Sequence, residues 1–325
     1  MVTILFSLII LVYHITSSHS ERCNPQEKFV LLQMKKEFNN PTFLSSWKPN
    51  TDCCHPKWHW HGIKCDHKSH HVKSINLSYN TKLASKIPPS IGNLPYLETL
   101  FLFHLPNLIG PIPQTISKLT NLTYLTISST NVSGPLPNFL GQFKSLVNLD
   151  LSFNNFYGPL PPSLSHLPNL TGIFLGYNNL IGPIPDSYRS FKNHSNFYFS
   201  HNNLSGRVPI SLGKVDFSSI DLSHNRFKGD PSMLFGSNKV SAAIDLSWNI
   251  FSFDIGKVEL PKITSMFDAS HNQIYGNLPL GIENVMILNV SYNRLCGEIP
   301  KGDKHDLYAY FHNKCLCGSP LPSCK

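Results

Sequence analysis

The sequence predicts an α/β fold: a right-handed solenoid of about ten 24-residue repeats, with a parallel concave sheet and a disulfide-stapled cap at each end. Three observations carry this expectation. The stretch "LVNLDLSFNNFYGPLP" at 146–161 returns as "LTGIFLGYNNLIGPIP" at 170–185 and, earlier, as "LTYLTISSTNVSGPLP" at 122–137. All eight cysteines fall near the two ends of the chain. The opening "MVTILFSLIILVYHITSSHS" holds no Asp, Glu, Lys or Arg.

Residues 1–20 come first. An apolar run from Val2 to Tyr13 leads to the small-x-small triplet Ser18, His19, Ser20. That is the form of a secretory signal peptide cut near Ser20, although the usual basic start is missing. A membrane anchor would need about 20 apolar residues, and no later stretch reaches that length. A secreted, soluble chain with no membrane insertion is expected.

Residues 21–71 are the expected N-terminal cap and residues 301–325 the C-terminal one. Cys23, Cys53, Cys54 and Cys65 lie at one end; Cys296, Cys315, Cys317 and Cys324 lie at the other. In a secreted chain, an even count in two groups reads as disulfides. Zinc competes, because His55, His59, His61, His67, His70 and His71 crowd the first group. With no CxxC pair beside them, neither metal nor cofactor is expected. Seven N-x-S/T sequons, at Asn76, Asn121, Asn131, Asn169, Asn193, Asn203 and Asn289, are candidate glycosylation sites and fit an extracellular chain.

Residues 72–300 hold the repeats. On the template L-x-x-L-x-L-x-x-N, the ladder position is Asn80, Thr130, Asn154, Asn178, Asn202, Asn225, Asn249, Asn272 and Asn293. One irregular copy, "LETLFLFHLPNLIGPIP", puts Leu105 there. This is the period and grammar of a leucine-rich repeat. One copy cannot bury its apolar face alone, but stacking turns the Leu columns into a continuous core. Strands about 4.8 Å apart would make a sheet roughly 45 Å long. The ladder Asn should satisfy backbone groups at the turn, and the Gly that follows (Gly158, for example) should supply a positive φ.

No phosphate loop, nucleophile elbow or HExxH motif is present. Asp221, Asp245 and Asp268 recur at one repeat phase, yet an open row offers no water-excluding pocket for glycosidase-like chemistry. They are expected as solvated surface carboxylates, and the chain is expected not to be an enzyme. What remains is the inner face. Its outward strand positions are Phe101, Phe103 and His104, then Tyr124 and Thr126, Asp150 and Phe153, Phe174 and Tyr177, Tyr198 and His201. Asp221 and His224, Asp245 and Trp248, Asp268 and His271 continue it. Exposed aromatic rows suggest a partner-binding patch. None of these positions carries Lys or Arg, so the net charge of +8 sits elsewhere, on residues such as Lys57, Lys64 and Lys214. The leader disfavours nucleic acid as the reason for it.

The consensus "LxxLxLSxNxLxGxIP" resembles that of plant extracellular leucine-rich repeats. "RCNPQEKFVLLQMKKEF", "SSWKPNTDCC", "NVSYNRLCGEIP" and "YFHNKCLCGSPLPSCK" closely resemble the polygalacturonase-inhibiting proteins. The resemblance implies the pairs Cys23–Cys53, Cys54–Cys65, Cys296–Cys315 and Cys317–Cys324, and a second short sheet on the "GPIP" side of each copy. It also implies a protein of the apoplast and cell wall whose concave face covers a microbial or insect polygalacturonase; a monomer is expected, and the basic residues off the inner face suggest acidic pectin as a further partner. Where that family usually bears Arg or Lys on the inner face, this chain has Phe174, Gly176 and Tyr177. The rivals are a soluble module for a receptor or peptide, and an ice-binding protein. His104, His201, His224 and His271, if unperturbed at a pKa of about 6.5, would charge near pH 5, so affinity for an acidic partner should rise on acidification.

Overall fold

The computed structural model describes residues 22–57 and 60–324; the expected signal peptide and His59 lie outside the described residues. Ten parallel strands, one per copy, form the inner sheet: Val72–Ser78, Thr99–Gly110, Tyr124–Pro135, Asn148–Asp150, Gly172–Phe174, Ser195–Tyr198, Phe217–Asp221, Ala243–Asp245, Met266–Asp268 and Ile287–Asn289. Their central residues align as one column, Ile75, Leu100, Leu125, Leu149, Ile173, Phe197, Ile220, Ile244, Phe267 and Leu288, and all are buried. Each such side chain contributes on the order of 2 kcal/mol by leaving water.

A second parallel sheet runs along the flank through Asn155–Pro159, Asn179–Gly182, Asn203–Arg207, Arg226–Gly229 and Ile250–Phe251. It becomes irregular after Phe251, where Phe253 stands at the usual glycine position: Gly158 and Gly229 take φ of 81° and 79° there, a region that Phe avoids. Gln273 N to Phe251 O (2.9 Å), Tyr275 N to Phe253 O (3.0 Å) and a parallel bridge between Asp254 and Tyr275 carry it on to the last strands, Tyr275–Gly276, Arg294–Glu298 and Cys315–Cys317. Short 3-10 turns such as Pro162–His166 cover the convex side.

The ladder residues close the turns. Asn178 donates from Nδ2 to Leu151 O (2.9 Å) and Leu175 O (3.0 Å), while its Oδ1 accepts from Phe156 N (3.0 Å). The same set recurs at Asn202, Asn225, Asn249, Asn272 and Asn293. It also recurs once beyond the expected boundary at residue 300. Asn313 donates to Val290 O (3.0 Å) and Tyr310 O (2.9 Å) and accepts from Leu295 N (3.0 Å). The C-terminal cap therefore contains an eleventh ladder turn, with buried Tyr310 where most earlier copies carry an aliphatic residue and the Asn202 copy carries Phe199.

Both caps are stapled as the resemblance implies, by Cys23–Cys53, Cys54–Cys65, Cys296–Cys315 and Cys317–Cys324. The helix Pro25–Glu37 starts at Asn24, whose side chain accepts from Gln26 N and Glu27 N. Glu27 is buried against the first copy, where it meets His71 Nδ1 (2.8 Å) and accepts from Val72 N (2.7 Å). Strand Ile63–Cys65 then pairs antiparallel with Val72–Ser78 and covers that edge of the sheet.

Replacing a ladder amide should unravel its turn. Asn202→Ala removes three donated bonds and one accepted from Leu180 N, leaving buried carbonyls unpaired at a cost of about 3 kcal/mol. Asn179→Ala, at an exposed neighbouring position, should stay within about 0.5 kcal/mol. Urea midpoints of the two variants would be compared with that of the parent chain.

Candidate functional site

On the inner face, residues of successive strands stand side by side in rows. The central row is Asn76, Phe101, Thr126, Asp150, Phe174, Tyr198, Asp221, Asp245, Asp268 and Asn289. Thr126 was expected as a contact position, but it is buried at 8% exposure between the larger neighbours Phe101 and Asp150. It is a packing residue and offers no contact surface.

The Asp row is likewise not the solvated set that the sequence suggests. Asp150, Asp221 and Asp245 each accept from the backbone N–H and the hydroxyl of the Ser two residues on, at 2.6–3.0 Å. Asp268 accepts from Ser270 N (2.9 Å) and, at its other oxygen, from Asn289 Nδ2 (3.2 Å). These carboxylates are half-buried. Burial pushes Asp245 up to about 6, the Ser247 hydrogen bonds oppose it, and Asp221 and Asp268 add to it by like charge. Burial also raises Asp150, against the hydrogen bonds of Ser152 and Ser128.

Beside this row runs a stack of rings. Each ring belongs to the residue before a ladder position, and the turn holds that residue at positive φ: Phe153 54°, Tyr177 56°, His201 52°, His224 50°, Trp248 53°, His271 53°, Tyr292 53° and His312 55°. Bulky residues pay roughly 1–2 kcal/mol for that conformation. Stacking offsets it, at about 0.5–1.5 kcal/mol per pair. Successive centroids lie 4.2, 4.0, 4.0, 5.3, 3.7, 4.1 and 4.3 Å apart with the planes within 26° of each other. Ring faces meet ring faces, so the stack turns edges outward. His201 is held below the usual imidazole value by burial and by His224, against the pull of Asp221. His271 is lowered chiefly by burial, with Asp268 opposing and His224 and His312 assisting. The expectation of unperturbed, readily charged histidines fails at these two positions because their rings are sandwiched.

Asp row and ring stack together bound a shallow groove of about 390 Å³, lined by Tyr177, His201, Asp221, His224, Asp245, Trp248, Asp268, His271 and Asn289 among others, with no Lys or Arg. Ser129 occupies the ring position of its copy and interrupts the stack. On the N-terminal side of this gap, Tyr79, Phe101, Phe103 and His104 splay instead of stacking, at 5.3–6.2 Å and 37–79°, and Tyr124 is exposed. Tyr79, Tyr292 and His312 were not among the expected contacts, although each directly precedes a ladder Asn. Among the described residues, the one group able to offer three metal-ligand atoms is Cys23, Cys53 and Cys54, and these are spent in disulfides. His71 pairs with Glu27.

Comparison with known proteins fits this arrangement. The leucine rich repeat N-terminal domain family matches residues 24–66 and the Leucine Rich Repeat family matches 145–167. "Polygalacturonase inhibitor 1" of Arabidopsis thaliana is 56% identical over 318 residues, covering 95% of each chain. The crystal structure of a plant ice-binding protein superposes with a TM-score of 0.90 at 43% identity, covering 94% of this chain and 99% of that one. The ectodomain of the receptor kinase GASSHO1/SCHENGEN3 from Arabidopsis thaliana, in complex with CASPARIAN STRIP INTEGRITY FACTOR 2, aligns at TM-score 0.70 and 31% identity, over 77% of this chain and 31% of that one.

The raised Asp245 makes a stability prediction. The folded chain holds this proton more tightly than the unfolded chain, so the group costs stability as pH rises from 3.8 to about 6. Asn289 shows that an amide can take the same bonds, accepting from Ser291 N and Oγ. Asp245→Asn should therefore melt higher than the parent chain at pH 7.5, with the advantage gone near pH 4, as thermal unfolding at both pH values would show.

Proposed function

The chain belongs to the polygalacturonase inhibitors, and from that membership we propose that it docks its concave face on a secreted endopolygalacturonase and obstructs pectin's access to the enzyme's cleft. One observation carries this reading: a groove with an acidic floor, an aromatic wall and no Lys or Arg. An enzyme that binds polygalacturonate must line its cleft with cations to hold the carboxylates. A carboxylate row free of its own basic residues is complementary to such a cleft, and aromatic edges supply the anchoring area typical of tight interfaces. The chain acts by covering a surface and performs no chemistry of its own.

On this reading Asp150, Phe153, Phe174, Tyr177, Tyr198, His201, Asp221, His224, Asp245, Trp248, Asp268 and His271 form the contact surface, with Tyr292 at its end. The enzyme comes from a microbe or insect, the setting is the plant cell wall, the role is defence, and the inhibitor acts as a monomer. Pectin itself is a secondary partner for the basic residues outside the groove. The same groove would serve a receptor or peptide module, and ice binding would need a flat lattice that Tyr177 and Trp248, 44% and 50% exposed, interrupt.

Inhibition assays against fungal, insect and bacterial endopolygalacturonases test the proposal. At least one should be inhibited with 1:1 stoichiometry. Binding to none, or thermal hysteresis in ice-growth measurements, would contradict it. Against a responsive enzyme, Trp248→Ala should weaken binding about 30-fold, as a central aromatic anchor does, and Asp268→Lys should cost at least about 10-fold and slow association most at low salt.

The pH dependence has the opposite sign to the one that freely titrating histidines would give. Below about pH 6 the free inhibitor holds a proton on Asp245 that must leave before a cation can pair with it. Affinity for a basic cleft should fall as pH drops from 7 to 5, by at most about tenfold per pH unit for one group. Asp245→Asn should flatten the profile measured by calorimetry.

A further inference from the structure

We propose that Asn76 carries an N-linked glycan whose first sugars lie over the splayed aromatic cluster of Phe101, Phe103 and Tyr79, closing the N-terminal end of the concave face. Asn76, Leu77 and Ser78 form a sequon on the first inner strand, and this strand aligns Asn76 with Phe101 and Ser78 with Phe103. The Asn76 side chain is exposed, and among the described residues its amide has no hydrogen-bond partner. Most other sequon amides are engaged: Asn121, Asn131 and Asn169 donate to carbonyls of the preceding copy at 2.7–2.9 Å. Asn289, the other sequon on the inner face, is tied at both ends, to Asp268 and to Ser291, whose hydroxyl its sequon needs. Asn203 is also unengaged, but it lies in the flank sheet.

The surroundings of Asn76 form a seat. On one side its backbone N–H bonds to Gly62 O (2.8 Å), and Gly62, at φ of 73°, packs so closely on the strand that a Cβ there would meet Asn76 O at 2.1 Å, so the cap fixes the backbone beneath the exposed Asn76 side chain. Across the sheet, strands about 4.8 Å apart put the Phe101 ring within one sugar's width. Tyr79 and Tyr124 are 72% and 49% exposed, and the rings here are tilted or edge-on to one another. Phe101 and Phe103 are half-buried, and the rings of this cluster do not cover one another face to face as those of the stack beyond Ser129 do. Open aromatic faces pack against the C–H face of an N-acetylglucosamine, and an exposed aromatic cluster of this kind otherwise calls for a cover. The covalent step uses a lipid-diphosphate-linked oligosaccharide. The bond from Asn76 Nδ2 to C1 of the sugar forms, the C1–O bond to the diphosphate breaks, and Nδ2 gives up one proton. The step rests on entry into the secretory pathway, not on inhibition, so it stands or falls apart from the docking proposal. Its consequence for docking is that a partner sees only the part of the concave face from Asp150 onward.

The test is to secrete the full chain from plant cells, release N-glycans in ¹⁸O water, and read the peptide that contains Asn76 by mass spectrometry. Occupancy at Asn76 is expected; an unmodified Asn76 in the secreted protein overturns the proposal. Enzymatic removal of glycans from the folded protein, and the variants Asn76→Gln and Ser78→Ala, should each raise binding of a hydrophobic dye about threefold as the rings are bared. Thr123→Ala, which removes only the Asn121 sequon, should leave it unchanged. Occupancy without any change in dye binding on removal would also overturn it.

Discussion

No copy in this chain has a core of its own, and the constraint that lets the copies stack is the need to satisfy backbone groups at each turn. The buried amides of Asn154, Asn178, Asn202, Asn249 and Asn293 meet it, each bonding carbonyls of its own copy and of the one before. Buried polar groups left unpaired cost more than most side chains contribute. The amides therefore set where each strand ends and hold the repeat spacing that the aliphatic columns then fill.

The binding surface follows from the same turn. To aim the Asn inward, the residue before it takes a left-handed conformation. Successive copies thus deliver their side chains to one line at nearly the separation at which aromatic rings stack. A chain that writes Phe, Tyr, His or Trp there gains a rigid wall at little entropic cost, since each ring is fixed by its neighbours. Three residues before rings of that wall, the Asp–x–Ser motifs of Asp150, Asp221 and Asp245 anchor carboxylates with their own backbone, so the acidic floor is pre-organised before any partner arrives. Pre-organisation of this kind improves affinity because less ordering remains to be done on binding.

Much of this was legible in the sequence. Period, Leu columns, ladder residues and turn glycines all announce themselves, and the cysteine groups frame the caps. The disulfide pairing and second sheet came from the family resemblance alone. Alternation along a strand misplaced Thr126, because strand periodicity says which side a residue faces but not how large its neighbours are. The eleventh turn is hard to read because Tyr308 and Tyr310 stand in place of the repeat's usual aliphatic residues, although "YFHN" keeps the phase of "VSYN". Nothing in propensity foretells eight aromatic residues at positive φ, and burial of the carboxylates was readable only from the Ser two residues on, as in "DLS" and "DAS".

The central claim is that partners meet the hollow of the arc along the rings and carboxylates. Hydroxyl-radical footprinting with and without an inhibited endopolygalacturonase tests it most directly, because exposed aromatics report from both surfaces. Protection of Tyr177 and Trp248 on the inner face, with Tyr157 and Tyr275 on the flank unchanged, is the predicted result. Protection of Tyr157 and Tyr275 while Tyr177 and Trp248 stay reactive would contradict it.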